Sequence, residues 1–211
     1  MLLMPRSSLS TRQIDDFRER LVAAATRLFV RRGYDGVTLR AIAGELGCSP
    51  MTPYRYFRDK ADIFAAVRTA AFEALAGSQQ ACCDEADEPL AVLAELGRAY
   101  LRFALEQPDA YRLMFELGQP NPEGFPALRA ASERAISPLR TWMGHAVDAG
   151  VLAGDPDVLT HVFWSGVHGI ASLHLAGKLS WGCDVDRLLE PVLQTLFRGN
   201  RPDAPGLGEP T

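Results

Sequence analysis

Apolar residues return every three or four positions along nearly the whole chain, and no alternating runs joined by hairpin dipeptides mark paired strands. Ile14, Phe17, Leu21, Ala24, Leu28 and Phe29 share one helical face. Ser10 and Gln13 have capping-box spacing ahead of it and Gly33 supplies a stop, which predicts a first helix of about 20 residues. Thr38 is placed to cap a second helix that turns Leu39, Ile42, Ala43 and Leu46 inward and ends at Gly47. Ser49 caps a third, with Pro50 at its first position, where a missing N–H costs nothing; this helix runs only to Phe57. Asp59 caps a fourth, Asp59 to Leu75, whose Ile63, Phe64, Val67, Ala71 and Leu75 form one stripe.

Asp84 to Pro89 is an acidic break, and Pro89 opens a helix through Leu90, Leu93, Tyr100, Leu101 and Ala104 that Pro108 stops. A short helix follows from Asp109 to Leu117, and the prolines and glycines from Gly118 to Pro126 predict a loop. Further helices are expected over Phe125–Ala149, Pro156–Lys178 and Asp184–Arg198, with Pro191 either kinking the last or contradicting its assignment. The predicted fold is all-α: a flexible arm at 1–11, a three-helix helix-turn-helix domain at 12–60, a larger helical bundle at 61–198, and a Pro/Gly-rich, disordered tail at 199–211.

Charge changes this picture by giving the two parts different partners. The net charge of −4 conceals a head of +5 over residues 1–60 and a body of −9 over residues 61–211, as suits a chain that presents one end to phosphates. With 47% hydrophobic residues the chain can bury a core. Cys48, Cys82, Cys83 and Cys183 have no disulfide or metal spacing, the start lacks a secretory signal, and Val162–Leu175 is interrupted by polar residues and too short to span a bilayer. A cytoplasmic protein with no membrane partner is expected. The histidines make no metal site: His161 and His168 lie about 10.5 Å apart along a helix, too far for one zinc. No catalytic motif or phosphate loop is present, so neither an enzyme nor a cofactor is expected.

Two short helices separated by Gly47-Cys48-Ser49, the second rich in Tyr, Arg and Thr, suit a helix-turn-helix whose outer face fits a major groove. Ala24-Ala25-x-Arg27-Leu28-Phe29, Gly33-Tyr34-Asp35-Gly36-Val37-Thr38, Ile42-Ala43-x-x-Leu46-Gly47-x-Ser49 and Tyr54-x-Tyr56-Phe57, with Lys60, resemble the N-terminal domain of TetR regulators. Trp164-x-x-x-His168-Gly169 and Pro108-x-x-Tyr111-Arg112-Leu113-Met114-Phe115 resemble a Trp-His-Gly subclass of TetR C-terminal domains. The resemblance implies a ligand-responsive repressor that binds double-stranded DNA as a homodimer, with phosphate contacts from Thr38, Tyr54, Tyr56 and Lys60. Base reading would fall to Arg40, Met51, Thr52 and Arg55, with Ser49 beside them. Arg40 and Arg55 could instead be solvated surface charges, and the tyrosine rings could simply pack. Pro53 departs from the family, which has an apolar residue such as Leu there, and removes an early helical hydrogen bond. A helical small-molecule-binding or interaction protein without specific DNA binding is the alternative.

The body holds Phe72, Tyr100, Phe103, Tyr111, Met114, Phe115, Trp142, His145, Trp164 and His168, which form either a solid core or a pocket for a largely apolar effector. For the dimer, Gly166 and Gly169 allow close approach on the last two helices, while Phe163, Ile170, Leu188, Val192 and Leu196 offer apolar area.

Overall fold

The computed structural model describes residues 10–83, 88–115, 124–180 and 182–203. These form eight α-helices with no strand: α1 (Thr11–Arg32), α2 (Leu39–Glu45), α3 (Lys60–Gln80), α4 (Pro89–Glu106), α5 (Pro108–Phe115), α6 (Pro126–Asp148), α7 (Pro156–Leu175) and α8 (Val185–Gly199). The expected arm, most of the loop before Pro126 and most of the tail lie outside the described residues.

Local sequence sets the helix ends. Ser10 and Gln13 form the full reciprocal capping box of α1, and Gly33 ends that helix at φ +67°. Thr38 accepts from the amide of Ala41 at the start of α2, and Gly47 reverses the chain after it at φ +63°, a conformation open to glycine. The Asp59 carboxylate caps α3 by accepting from the amide of Asp62, and this helix continues past the expected Leu75 to Gln80. Pro191 does not end α8: both Pro191 and Arg187, whose carbonyl loses its partner, are exposed, so water can satisfy it. Pro138 sits inside α6 in the same way, with Arg134 exposed one turn before it.

The chain divides into two compact units. The first comprises residues 1–70 and 113–129, and the second residues 71–112 and 130–211, so the division falls inside α3 rather than at its start. The core of the first joins Leu21, Leu28 and Phe29 of α1, Ile42 of α2, Phe57, and Ile63, Phe64 and Val67 of α3, with Leu113. Phe29 meets Phe64 edge-on at 4.8 Å. Ile14, at the far end of the same stripe, is 37% exposed, because α1 outruns the core it packs on.

In the second unit α4 is buried along most of its length, from Val92 to Ala104. Glycines set how closely its neighbours approach. A Cβ on Gly97 of α4 would meet Leu193 of α8 at 3.2 Å, and one on Gly166 of α7 would meet Leu196 of α8 at 2.9 Å. Arg98–Glu190 at 2.7 Å and Arg140–Asp157 at 2.6 Å tie helices at the surface, where such pairs contribute little.

Candidate nucleic-acid interface and buried polar cluster

Between Ser49 and Phe57 the structure departs from the expected α-helix. The Ser49 carbonyl takes its hydrogen bond from the Thr52 amide at 2.8 Å, three residues on, and Pro53–Arg55 form a single 3-10 turn. The cause is Pro53. An α-helix through this segment would have the amide of residue 53 donate to Ser49, and proline has no N–H. The Ser49 side chain accepts from the Met51 amide at 3.4 Å, the capping contact expected of it, although no α-helix follows.

What the segment lacks internally is supplied from its flanks. Pro53 and Phe57 are buried, so Pro53 fills the apolar position despite breaking the helix. The Tyr56 ring stacks on Phe17 of α1 at 4.7 Å. The Arg18 guanidinium donates to the Tyr56 carbonyl at 2.6 Å and lies over the Phe57 ring at 4.3 Å. Sequence reasoning missed Arg18, because its partners are thirty-eight residues away and nothing local marks it.

The outward side of this segment carries most of the expected contacts. Arg40, Ser49, Arg55 and Thr38 are exposed, Met51 is 68% exposed and Tyr54 53%, while Thr52 and Tyr56 are half-buried. Lys60 is less available than expected: its ammonium donates to the Tyr34 carbonyl at 2.9 Å and sits 4.2 Å above the Tyr34 ring.

In the second unit four of the ten predicted pocket residues come together, as a hydrogen-bonded cluster. The Trp164 indole N–H donates to the Tyr100 hydroxyl at 3.2 Å. Tyr111 and Tyr100 place their hydroxyls 2.7 Å and 2.9 Å from His168 Nδ1, and Ser172 Oγ lies 3.2 Å from His168 Nε2. Burial holds the His168 imidazole below the ordinary histidine range and both phenols above theirs. The ring is therefore neutral, with one nitrogen accepting and the other donating between the phenols at Nδ1 and Ser172 at Nε2. Phe72, Phe103 and Trp142 are buried, His145 is exposed with its ring against Trp142 at 4.9 Å, and Met114 and Phe115 belong to the first unit.

Of the seven predicted dimer residues two are buried within the protomer and five are half-buried. Phe163 and Ile170 are buried, Phe163 meets Phe197 at 4.8 Å, and Gly166 faces Val192 and Leu196 of α8. Leu188 is half-buried. The solvent side of α7 carries Val158, Val162, Ser165 and Leu173, with Gly169 half-buried between them and open space beyond its Cα. Along α7 the face with Phe163 and Ile170 is therefore turned to the protomer core, and the face with Val158, Val162 and Leu173 to solvent.

A family model for bacterial regulatory proteins of the tetR family matches residues 21–67, and one for the tetracyclin repressor-like C-terminal domain matches residues 93–196. The chain is 27% identical over 190 residues to an uncharacterised HTH-type transcriptional regulator of Mycobacterium tuberculosis, covering 86% of this chain and 80% of that one. It is 31% identical over 103 residues to the HTH-type transcriptional activator FasR of Mycolicibacterium smegmatis, covering 48% and 47%. A solved structure of a protein of unknown function from Rhodococcus sp. RHA1 superposes with a TM-score of 0.75 at 27% identity, covering 94% of this chain and 99% of that one.

Two outcomes follow from this geometry. Arg18→Ala should leave the fold intact, costing on the order of 1 kcal/mol in urea denaturation, while amide exchange speeds up selectively over residues 52–57. Uniform exchange rates across that segment would show that Arg18 does not hold it. The folded pKa of His168 lies below its unfolded value, so the contribution of the neutral ring is complete above the unfolded pKa of about 6.5 and is lost as pH falls through the folded one. Stability measured from about pH 7.5 to about pH 5 should therefore fall less steeply in His168→Gln than in the unaltered protein.

Proposed function

Because the chain belongs to the TetR family of bacterial transcriptional regulators, we propose that it is a ligand-responsive repressor whose homodimer holds a near-palindromic operator through the segment from Thr38 to Lys60. One observation carries the DNA-contact part of this reading. Arg40, Met51, Tyr54 and Arg55 are all exposed, while their neighbours Pro53 and Phe57 are buried, so the buried side anchors what the other side presents. Arg40 offers guanine a bidentate donor pair, Met51 meets a thymine methyl, and Arg55 reaches a base edge or a phosphate. Tyr54 donates its hydroxyl to a phosphate. Thr38 spends its lone pair on the Ala41 amide and keeps its hydroxyl hydrogen for a phosphate oxygen. Lys60 keeps two donors beyond the one given to Tyr34, and Tyr56 and Thr52 line the same segment as secondary contacts.

A single short element reads too few base pairs for specificity, so two copies must reach successive major grooves about 34–36 Å apart. The solvent side of α7 is the proposed two-fold surface. Three of the seven exposed large apolar side chains among the described residues, Val158, Val162 and Leu173, lie on this helix, and Ser165 and Gly169 between them leave room for a partner. The Trp164–His168 pair at the heart of the polar cluster supports the Trp-His-Gly subclass and a non-enzymatic effector domain. The effector is a largely apolar small molecule held in the second unit, and a cytoplasmic location accords with the absence, among the described residues, of any helix long and apolar enough to cross a membrane.

A mobility-shift titration on DNA upstream of the gene tests the reading. Arg40→Ala should weaken the true site by about 1–3 kcal/mol and leave non-specific binding nearly unchanged. Equal loss on all sequences would reduce Arg40 to a phosphate or surface residue. Val162→Asp should give monomers by light scattering and lose the operator with its thermal unfolding little changed; a dimer that survives this substitution places the two-fold elsewhere. A reporter assay reads the sign of regulation, and the FasR similarity makes activation the specific competing outcome.

A further inference from the structure

Among the described residues of the second unit, one buried side-chain oxygen has no hydrogen-bond partner. Gln79, near the end of α3, is 4% exposed, and its side-chain oxygen is buried without a hydrogen-bond partner. A buried acceptor left unmade is costly, and native proteins hold few of them. Gln79 also lines a cavity of about 20 Å³, whose other walls include Leu139, Phe163, Val167 and the rings of Tyr100 and Trp164.

The lining specifies an occupant. A single water fits this volume and can donate to the Gln79 oxygen, so water is what a ligand must displace there. The walls carry no Lys, Arg, Asp or Glu, so nothing there neutralises a carboxylate, a phosphate or an ammonium. An ether, ester or ketone brings only acceptors and leaves the Gln79 oxygen as it is. The group that completes the site is an uncharged donor on an apolar body, and the plainest is a hydroxyl. We infer that Gln79 is the recognition residue for a neutral, hydroxyl-bearing apolar ligand, such as a phenol or an alcohol, which puts its O–H on the Gln79 oxygen and its body among Leu139, Phe163 and Val167. The site takes the hydroxyl end first, and the body enters by moving the half-buried Trp164.

This rests on the reading of the second unit as an effector domain for its biological role alone; the binding itself can be measured without DNA. Titration calorimetry on the purified full chain compares p-cresol with 4-methylanisole, which has the same ring and methyl group but no O–H. The expected result is p-cresol binding at least tenfold more tightly, about 1.4 kcal/mol, with the preference abolished in Gln79→Leu and in Gln79→Met. Both variants should unfold at or above the temperature of the unaltered protein, since each removes an unsatisfied buried acceptor. No binding of p-cresol, equal binding of the two compounds, or a preference that survives both substitutions overturns the inference. If the preference holds but p-cresol leaves operator affinity unchanged, the Gln79 site stands and the ligand-responsive reading fails.

Discussion

What the first unit presents between Ser49 and Phe57 depends on one missing hydrogen. Without an N–H at Pro53 the Ser49 carbonyl cannot take an α-helical bond, and the stretch to Phe57 closes mainly through bonds three residues apart, so its shape depends on what it packs on. The buried pair Pro53 and Phe57 fixes its depth, the Phe17–Tyr56 stack fixes its far end, and Arg18 binds the carbonyl at which the turn stops. These groups come from α1 and from the core shared with α3, so the geometry of Met51, Tyr54 and Arg55 is a tertiary property. A segment held in this way presents its side chains at fixed positions only while the core of Phe29, Ile42 and Phe64 is intact. Stability of the head and accuracy of its contacts are therefore one quantity.

The second unit meets the opposite problem. Its helices are regular, and glycines at 97 and 166 let α4 and α7 close on α8 until side chains touch backbone. Close packing of that kind excludes water, which raises the stakes for each polar group inside. Trp164, Tyr100, Tyr111, His168 and Ser172 meet this by forming a chain in which neutral His168 accepts at one nitrogen and donates at the other. Protonating His168 would make both ring nitrogens donors and oblige the hydroxyl that donates to the neutral ring to turn away, so burial and connectivity both favour the neutral form.

Much of this was legible in the sequence because it is local. Caps at Ser10, Thr38 and Asp59, stops at Gly33 and Gly47 and the apolar stripes of α1 and α4 each depend on neighbours within a turn or two, and the structure has them. The loss of one helical hydrogen bond at Pro53 was legible too, but its reach was not, since one absent N–H converted an expected helix into a 3-10 turn. Which face of α7 the protomer buries was not legible, for a geometric reason. Phe163 and Ile170 are large and apolar and look fit for an interface, yet they lie on the face of α7 that the protomer itself buries. Arg18 and Gln79 left no trace in any pattern, because their roles come from groups far away in sequence or from the lack of any partner.

The lone acceptor at Gln79 also limits what a ligand could accomplish there. Turning a protein from almost wholly one state to almost wholly the other takes about 5.5 kcal/mol of differential affinity. A completed hydrogen bond supplies a net of roughly 1 kcal/mol, so the remainder must come from apolar burial, about 180 Å² at 25 cal/mol per Å². A cavity of about 20 Å³ cannot provide that area while it stays shut. Its walls must part, and the surface that α6 and α7 give up on opening is the surface a ligand regains. In a dimer two ligands share the requirement, and each then needs about 70 Å² beyond its hydrogen bond, within the reach of a single aromatic ring. Small size in the closed state is thus compatible with control by a small molecule, provided the Gln79 oxygen selects the molecule and apolar area supplies most of the energy.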